Sequence, residues 1–174
     1  MKIIVLGYMG SGKSTVGKKL SNTLDIPFVD LDNYIEEKLQ KSISEIFKTD
    51  GEIFFRLKEH EFLKELLNNE KDFVLSLGGG TPCYAGNMDI INNAEDSLSI
   101  YLRTSVSEIA SRLQKEKESR PLIAKLSDNE LHEFTAKHLF ERSFFYEQAE
   151  IKVTTHDKTQ EKLITELVAI LSKQ

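Results

Sequence analysis

The sequence predicts an α/β fold built on a parallel β-sheet, and three observations carry that expectation. Short apolar runs alternate with longer segments of helical periodicity, the rhythm of repeated βαβ units. The first run, Ile3–Leu6, is apolar throughout, as in a strand covered on both faces. Helix-opening pairs at capping-box spacing, Ser42/Glu45, Ser105/Glu108 and Ser127/Glu130, then punctuate the chain.

Taken in order, Ile3–Leu6 is the first strand and Lys13–Leu24 the first helix. Phe28–Asp30 is a short second strand, and a long helix starts near Gly51. Phe73–Leu77, Leu98–Leu102 and Ile151–Val153 complete the strands. The last helix carries one apolar stripe, Leu163, Ile164, Leu167, Val168 and Leu171, which suits core packing. Lys115–Leu126 is polar and broken by Pro121, which marks it as a lid segment.

Composition limits the function classes. With 174 residues, one domain spanning 1–174 is expected, and folding should bury roughly 70% of the unfolded surface. The 23 basic and 28 acidic residues give a net charge of −5, which argues against nucleic acid as a partner. No run approaches the ~18 apolar residues of a membrane span. No signal peptide is expected ahead of Ile3. One cysteine, Cys83, fits a reducing compartment, so a cytoplasmic protein is expected, and the absence of an oligomerisation stripe points to a monomer. Cys83 has no adjacent base and reads as an inert thiol. His60, His132, His138 and His156 share no metal-ligand spacing and read as surface or helix-face residues.

The segment from Gly7 to Ser14, GYMGSGKS, lies between the first strand and the first helix and satisfies G-x-x-x-x-G-K-[ST]. Its glycines let successive backbone N–H groups wrap a phosphate, and the helix N-terminus adds its positive end. Lys13 would reach the β- and γ-phosphates, and the Ser14 hydroxyl would ligate Mg²⁺. This combination points to a nucleoside triphosphate.

What accepts the phosphate is less direct. Asp30 and Asp32 end the second strand. Two carboxylates at i and i+2 of an extended segment would face the same way, one for a metal and one for a proton, or they would merely cap the next helix. Arg56 and Glu59 sit at i,i+3: either an oriented fork for a carboxylate or a weak surface ion pair. Gly78, Gly79 and Gly80 would admit a ligand to the backbone or simply form a loop. Arg120 is either a phosphate-reaching lid arginine or a solvated charge. Arg142 is a lone fork on an aromatic-rich helix.

Together GYMGSGKST (7–15), the Asp30/Asp32 pair, FR with its following Glu (55–59), LGGG (77–80), RPL (120–122) and ERSFFY (141–146) resemble the shikimate kinase family over most of the chain. Of the five arginines, Arg56, Arg112, Arg120 and Arg142 fall where that family looks to use arginine. In a lysine-favouring chain, planar bidentate recognition explains why lysine does not replace them. The resemblance implies a P-loop NTPase-type α/β/α sandwich, its five-stranded parallel sheet ordered 2-3-1-4-5 and NMP-kinase-like with a lid at 115–126 and an acceptor-binding subdomain at 32–70. It implies transfer of the ATP γ-phosphoryl group to the 3-hydroxyl of shikimate, on the route to chorismate and the aromatic amino acids. By similarity, Gly10, Ser11, Gly12, Lys13, Ser14 and Thr15 bind ATP, Arg112 stacks on adenine, and Arg120 reaches the phosphates. Arg56 and Arg142 grip the shikimate carboxylate, and Gly78, Gly79 and Gly80 approach the ring. Asp32 is the general base, and Asp30 joins Ser14 at Mg²⁺.

Overall fold

A computed structural model describes residues 1–69, 71–117 and 123–173. Its sheet contains β1 (Lys2–Leu6), β2 (Phe28–Asp30), β3 (Phe73–Ser76), β4 (Ser97–Arg103) and β5 (Ile151–Thr154). All pairings are parallel, and the order is β2-β3-β1-β4-β5, as the resemblance implies.

The alternation of β1 explains why its sequence is apolar without a break. Ile3 and Val5 face a core built with Val16, Leu20, Leu163 and Leu167, from helices α1 (Lys13–Leu24) and α8 (Gln160–Leu171). Ile4 and Leu6 face the opposite core, filled from α2 (Leu31–Leu39), α3 (Ile43–Thr49), α4 (Gly51–Leu67), α5 (Asn87–Asn93), α6 (Val106–Lys115) and α7 (Asp128–Tyr146). With a helical layer on each face, every second residue still meets hydrocarbon. In α8 the expected stripe is buried at Leu163, Ile164, Leu167 and Leu171, and Val168 packs partly against it.

Both reciprocal capping boxes form at Ser42/Glu45 and Ser127/Glu130. At Ser105 only half of the motif forms. The Ser105 hydroxyl accepts from the Glu108 N–H, but the Glu108 carboxylate turns along α6 to pair with Arg112. A charged partner one turn away outcompetes the neutral N-cap amide.

Helix α1 lies close on β2. A Cβ built on Gly17 would stand 2.6 Å from Cε2 of Phe28, so a side chain at this position would have to displace the Phe28 ring. The segment expected to form a lid begins at the end of α6. Ile123 and Leu126 are already packed into or against the core. Arg120 and Pro121 lie outside the described residues.

Candidate active site

The carboxyl ends of β1, β2 and β3 open onto one cleft of about 570 Å³. Gly10, Ser11, Gly12, Lys13, Ser14, Thr15, Asp30, Asp32, Gly78, Gly79 and Arg112 all line it. This is the crevice that parallel sheets leave for ligands. The loop after β1 folds back on itself: the Ser11 N–H donates to the Tyr8 carbonyl at 3.1 Å, and Lys13 Nζ donates to the same oxygen at 2.9 Å. Lys13 is thereby held, largely buried, at the start of α1, where the N-terminal amides favour anions.

Asp30 ends β2 as the N-cap residue of α2, yet its side chain makes no cap hydrogen bond. It accepts a 2.8 Å hydrogen bond from Ser14 Oγ, which lies 3.3 Å from Ser76 Oγ. A carboxylate and two hydroxyls make an all-oxygen donor set, the chemistry that suits Mg²⁺ beside phosphates. The extended i,i+2 argument for Asp30 and Asp32 does not hold. Asp32 sits in the first turn of α2, and the strand-to-helix junction brings the two carboxylates together.

Burial pushes the Asp32 carboxyl up to about 6, with Asp30 and Glu59 adding to the rise and Lys13 and Arg56 opposing it. The same carboxylate therefore feels the cradle lysine and the arginine of α4. A Cβ on Gly78 would come within 2.9 Å of Asp32 Oδ1, so the glycine loop after β3 packs directly against it.

Arg56 and Glu59 are more than a surface pair. Arg56 Nη1 donates to Glu59 Oε2 at 2.8 Å, and Glu59 is 1% exposed. Thr81 Oγ1 donates to the other Glu59 oxygen at 2.6 Å, tying α4 to the 3₁₀ turn Thr81–Cys83. The guanidinium carbon lies 4.0 Å from the ring centre of Tyr84. A Cβ on Gly80 would fall 2.9 Å from Arg56 Nη2, so a larger residue there would push on the guanidinium.

Arg142, on α7, lies over the Tyr8 ring at 6.0 Å, and its charge acts on the Tyr146 hydroxyl. Tyr146 in turn donates to the Gly79 carbonyl at 2.6 Å. The turn after Gly80 is thus flanked by both arginines, and the Cys83 thiol between them feels each. Burial still pushes that thiol up to about 11, which keeps it protonated and unreactive.

At the other end of the cleft, Arg112 Nη1 donates to the Gly10 carbonyl at 3.0 Å. Thr155 and Lys158, from the turn between β5 and α8, and Gln160, the first residue of α8, also line this end. The family resemblance points to an adenine-edge contact within 154–159, but the sequence there matches no family pattern and singles out none of these residues. Two of the histidines expected on the surface or on helix faces lie on helices and hold partners. His60 Nδ1 bonds Asn87 Oδ1 at 2.7 Å, and His138 Nδ1 bonds the Tyr8 hydroxyl at 2.9 Å, both half-buried. Among the described residues no cluster of three or more His, Cys, Asp or Glu could hold a metal, and no helix is long and apolar enough to cross a membrane.

Comparison with known proteins agrees with this geometry. The family model described as shikimate kinase matches residues 9–172. A shikimate kinase of Flavobacterium psychrophilum is 46% identical over 170 residues, covering 98% of each chain. The crystal structure of shikimate kinase from Bacteroides thetaiotaomicron superposes with a TM-score of 0.90 at 35% identity, over 99% of this chain and 98% of that one. Shikimate kinase from Acinetobacter baumannii, solved in complex with shikimate, gives a TM-score of 0.86 at 31% identity, over 99% and 94%. Its sheet order, its phosphate loop and this likeness along the whole chain agree: the chain belongs to the shikimate kinase family.

Proposed function

We infer that the protein transfers the γ-phosphoryl group of ATP to the 3-hydroxyl of shikimate, giving shikimate 3-phosphate and ADP. The observation that carries this assignment is Asp32, a carboxylate that lines the cleft with Lys13 of the cradle and packs against the Gly78 loop that also meets Arg56. Phosphoryl transfer asks for positioning and charge neutralisation more than covalent chemistry.

In the proposed step Arg56 and Arg142 hold the shikimate carboxylate, and the backbone at Gly78, Gly79 and Gly80 receives the ring. Asp32 takes the proton of the acceptor hydroxyl as its oxygen bonds to the γ-phosphorus. The bond from that phosphorus to the bridging oxygen breaks, and the electron pair leaves with ADP. Ionised at neutral pH yet more basic than an ordinary carboxylate, Asp32 suits that task. Lys13 and the amides of Gly10, Ser11, Gly12, Ser14 and Thr15 balance the phosphate charge. Ser14 and Asp30 would hold Mg²⁺, which when bound neutralises the β- and γ-phosphate oxygens. By the family resemblance Arg112 would cover the adenine end, and Arg120, of the lid expected at 115–126, would serve the phosphates. Residues 32–70 form the acceptor-binding subdomain. A cytoplasmic monomer completes the proposal.

The test is a coupled ADP-release assay with shikimate, quinate, gluconate and AMP as acceptors, with and without Mg²⁺. Turnover with shikimate that requires the metal is expected. Activity on AMP alone overturns the assignment.

A further inference from the structure

One part of the site is held by side chains that the mechanism leaves unused. Tyr8 follows the first glycine of the phosphate loop, but its side chain turns away from the cleft and is 1% exposed. Its hydroxyl meets His138 Nδ1 at 2.9 Å, and the two rings stand edge to face with centroids 5.6 Å apart. His138 packs in turn against Phe134, 5.0 Å between ring centres, on the same helix. One turn later on α7 comes Arg142, with its guanidinium over the Tyr8 ring at 6.0 Å.

These contacts join two parts of the site that are remote in the chain. Tyr8 belongs to the loop that cradles phosphate, and Arg142 to the helix that reaches the acceptor. Burial, with Arg142 nearby, holds the His138 imidazolium below its ordinary range, so the ring is neutral and pairs with the hydroxyl without placing a second cation beside Arg142. The buried phenol likewise stays protonated, pushed up to about 12. On the far side, the Tyr146 hydroxyl, which the Arg142 charge also reaches, donates to the Gly79 carbonyl.

We propose that Tyr8 and His138 are positioning residues for acceptor binding: the Tyr8 ring is the support on which Arg142 lies, and His138 fixes the angle of that ring. This rests on the acceptor-carboxylate role given to Arg142 above. The pair sets where one tine of the carboxylate grip stands relative to the γ-phosphate, so it acts on acceptor affinity and not on nucleotide affinity. A displacement of about 1 Å in such a group is enough to weaken productive binding measurably.

The experiment measures initial rates with shikimate and ATP varied separately. It uses the wild type, Tyr8→Phe, His138→Ala, His138→Asn and the Tyr8→Phe/His138→Ala double variant, with melting temperatures recorded for each. Tyr8→Phe keeps the ring and loses only its hydroxyl, while His138→Asn keeps a polar atom near the Nδ1 position. Tyr8→Phe and His138→Ala should each raise the shikimate KM about 3–10-fold, with the ATP KM within about twofold of wild type. The double variant should be no worse than the worse single, because both remove one bond. His138→Asn should recover most of the loss. Should Tyr8→Phe fail to fold, the two His138 variants decide alone. A shikimate KM unchanged in both single variants, an ATP KM rising in step, additive losses or no recovery in His138→Asn would overturn the proposal. A wild type that does not phosphorylate shikimate at all would instead remove the functional assignment beneath it.

Discussion

The phosphate cradle and the acceptor grip meet at Asp32 and the glycine loop after β3, where the cleft ends short of Arg56 and Arg142, and they are built in different ways. The cradle is a contiguous stretch whose shape comes from its own backbone: Ser11 N–H and Lys13 Nζ both close on the Tyr8 carbonyl, and Val16 N–H closes on Gly12. The grip is assembled from side chains on three elements, Asp32 on α2, Arg56 on α4 and Arg142 on α7, around the glycine loop after β3. Its parts hold their places through buried partners such as Glu59, Thr81 and Tyr146. A site made of backbone is encoded locally, whereas one made of side chains depends on the whole fold and fails one contact at a time.

That contrast can be broken most directly at Lys13. Lys13→Ala should lower kcat/KM about 10³-fold or more, with ATP and shikimate kinetics damaged together, because the charge on the transferring group loses its main counterweight. Steady-state rates with ATP and shikimate varied separately decide it; a loss confined to the shikimate KM would contradict the division of labour.

Asp32 stands between the two halves and tests both stability and rate. Its folded-state value, about 6, lies above the ordinary 3.8, so the native protein binds more protons than the unfolded chain between those values. Stability therefore falls as pH rises through that window, and the ionised carboxylate is a liability at pH 7.5. Asp32→Asn should lower kcat about 10²–10⁴-fold. At pH 7.5 the same change should stabilise the fold by about 1–3 kcal/mol, read from thermal melts; below pH 4 the gain should vanish. Wild-type kcat/KM should decline as pH drops through about 6.

On the acceptor side, Arg56→Lys keeps the charge but loses the planar fork. The shikimate KM should rise about 10–100-fold, with the ATP KM within about twofold. Equal changes in both constants would mean that the grip and the cradle are not separable. The smallest effect is expected away from the cleft. Ser127→Ala removes half of the capping box of α7, which costs about 1 kcal/mol and lowers Tm by about 2–4 °C, measured calorimetrically, with neither KM altered.

The same contrast explains what could be read from the residues alone. Strand periodicity, the bounds of α1, the glycine–lysine loop and two of the three capping boxes were legible because each depends on neighbours in the chain. The geometry of Asp30 and Asp32 was not: extended spacing put them on one side of a strand, while in the fold a helix starts between them. Arg56 with Glu59 was legible as a pair, but its burial was not, since the Thr81 turn and Tyr84 that enclose it come from another part of the chain. For His138 nothing local signals a partner in the phosphate loop.

The absent side chain at Gly17 acts at a distance. The Phe28 ring edge lies against the α1 backbone at Gly17, and the ends of these two elements carry Asp30 and Ser14. The separation of a hydroxyl and a carboxylate in the cleft is thus gauged a full turn of helix away, by an aromatic edge resting where any methyl would wedge it open. Lineages of this protein should be free to vary the surface of α1 widely while being unable to enlarge that one position without detuning the chemistry.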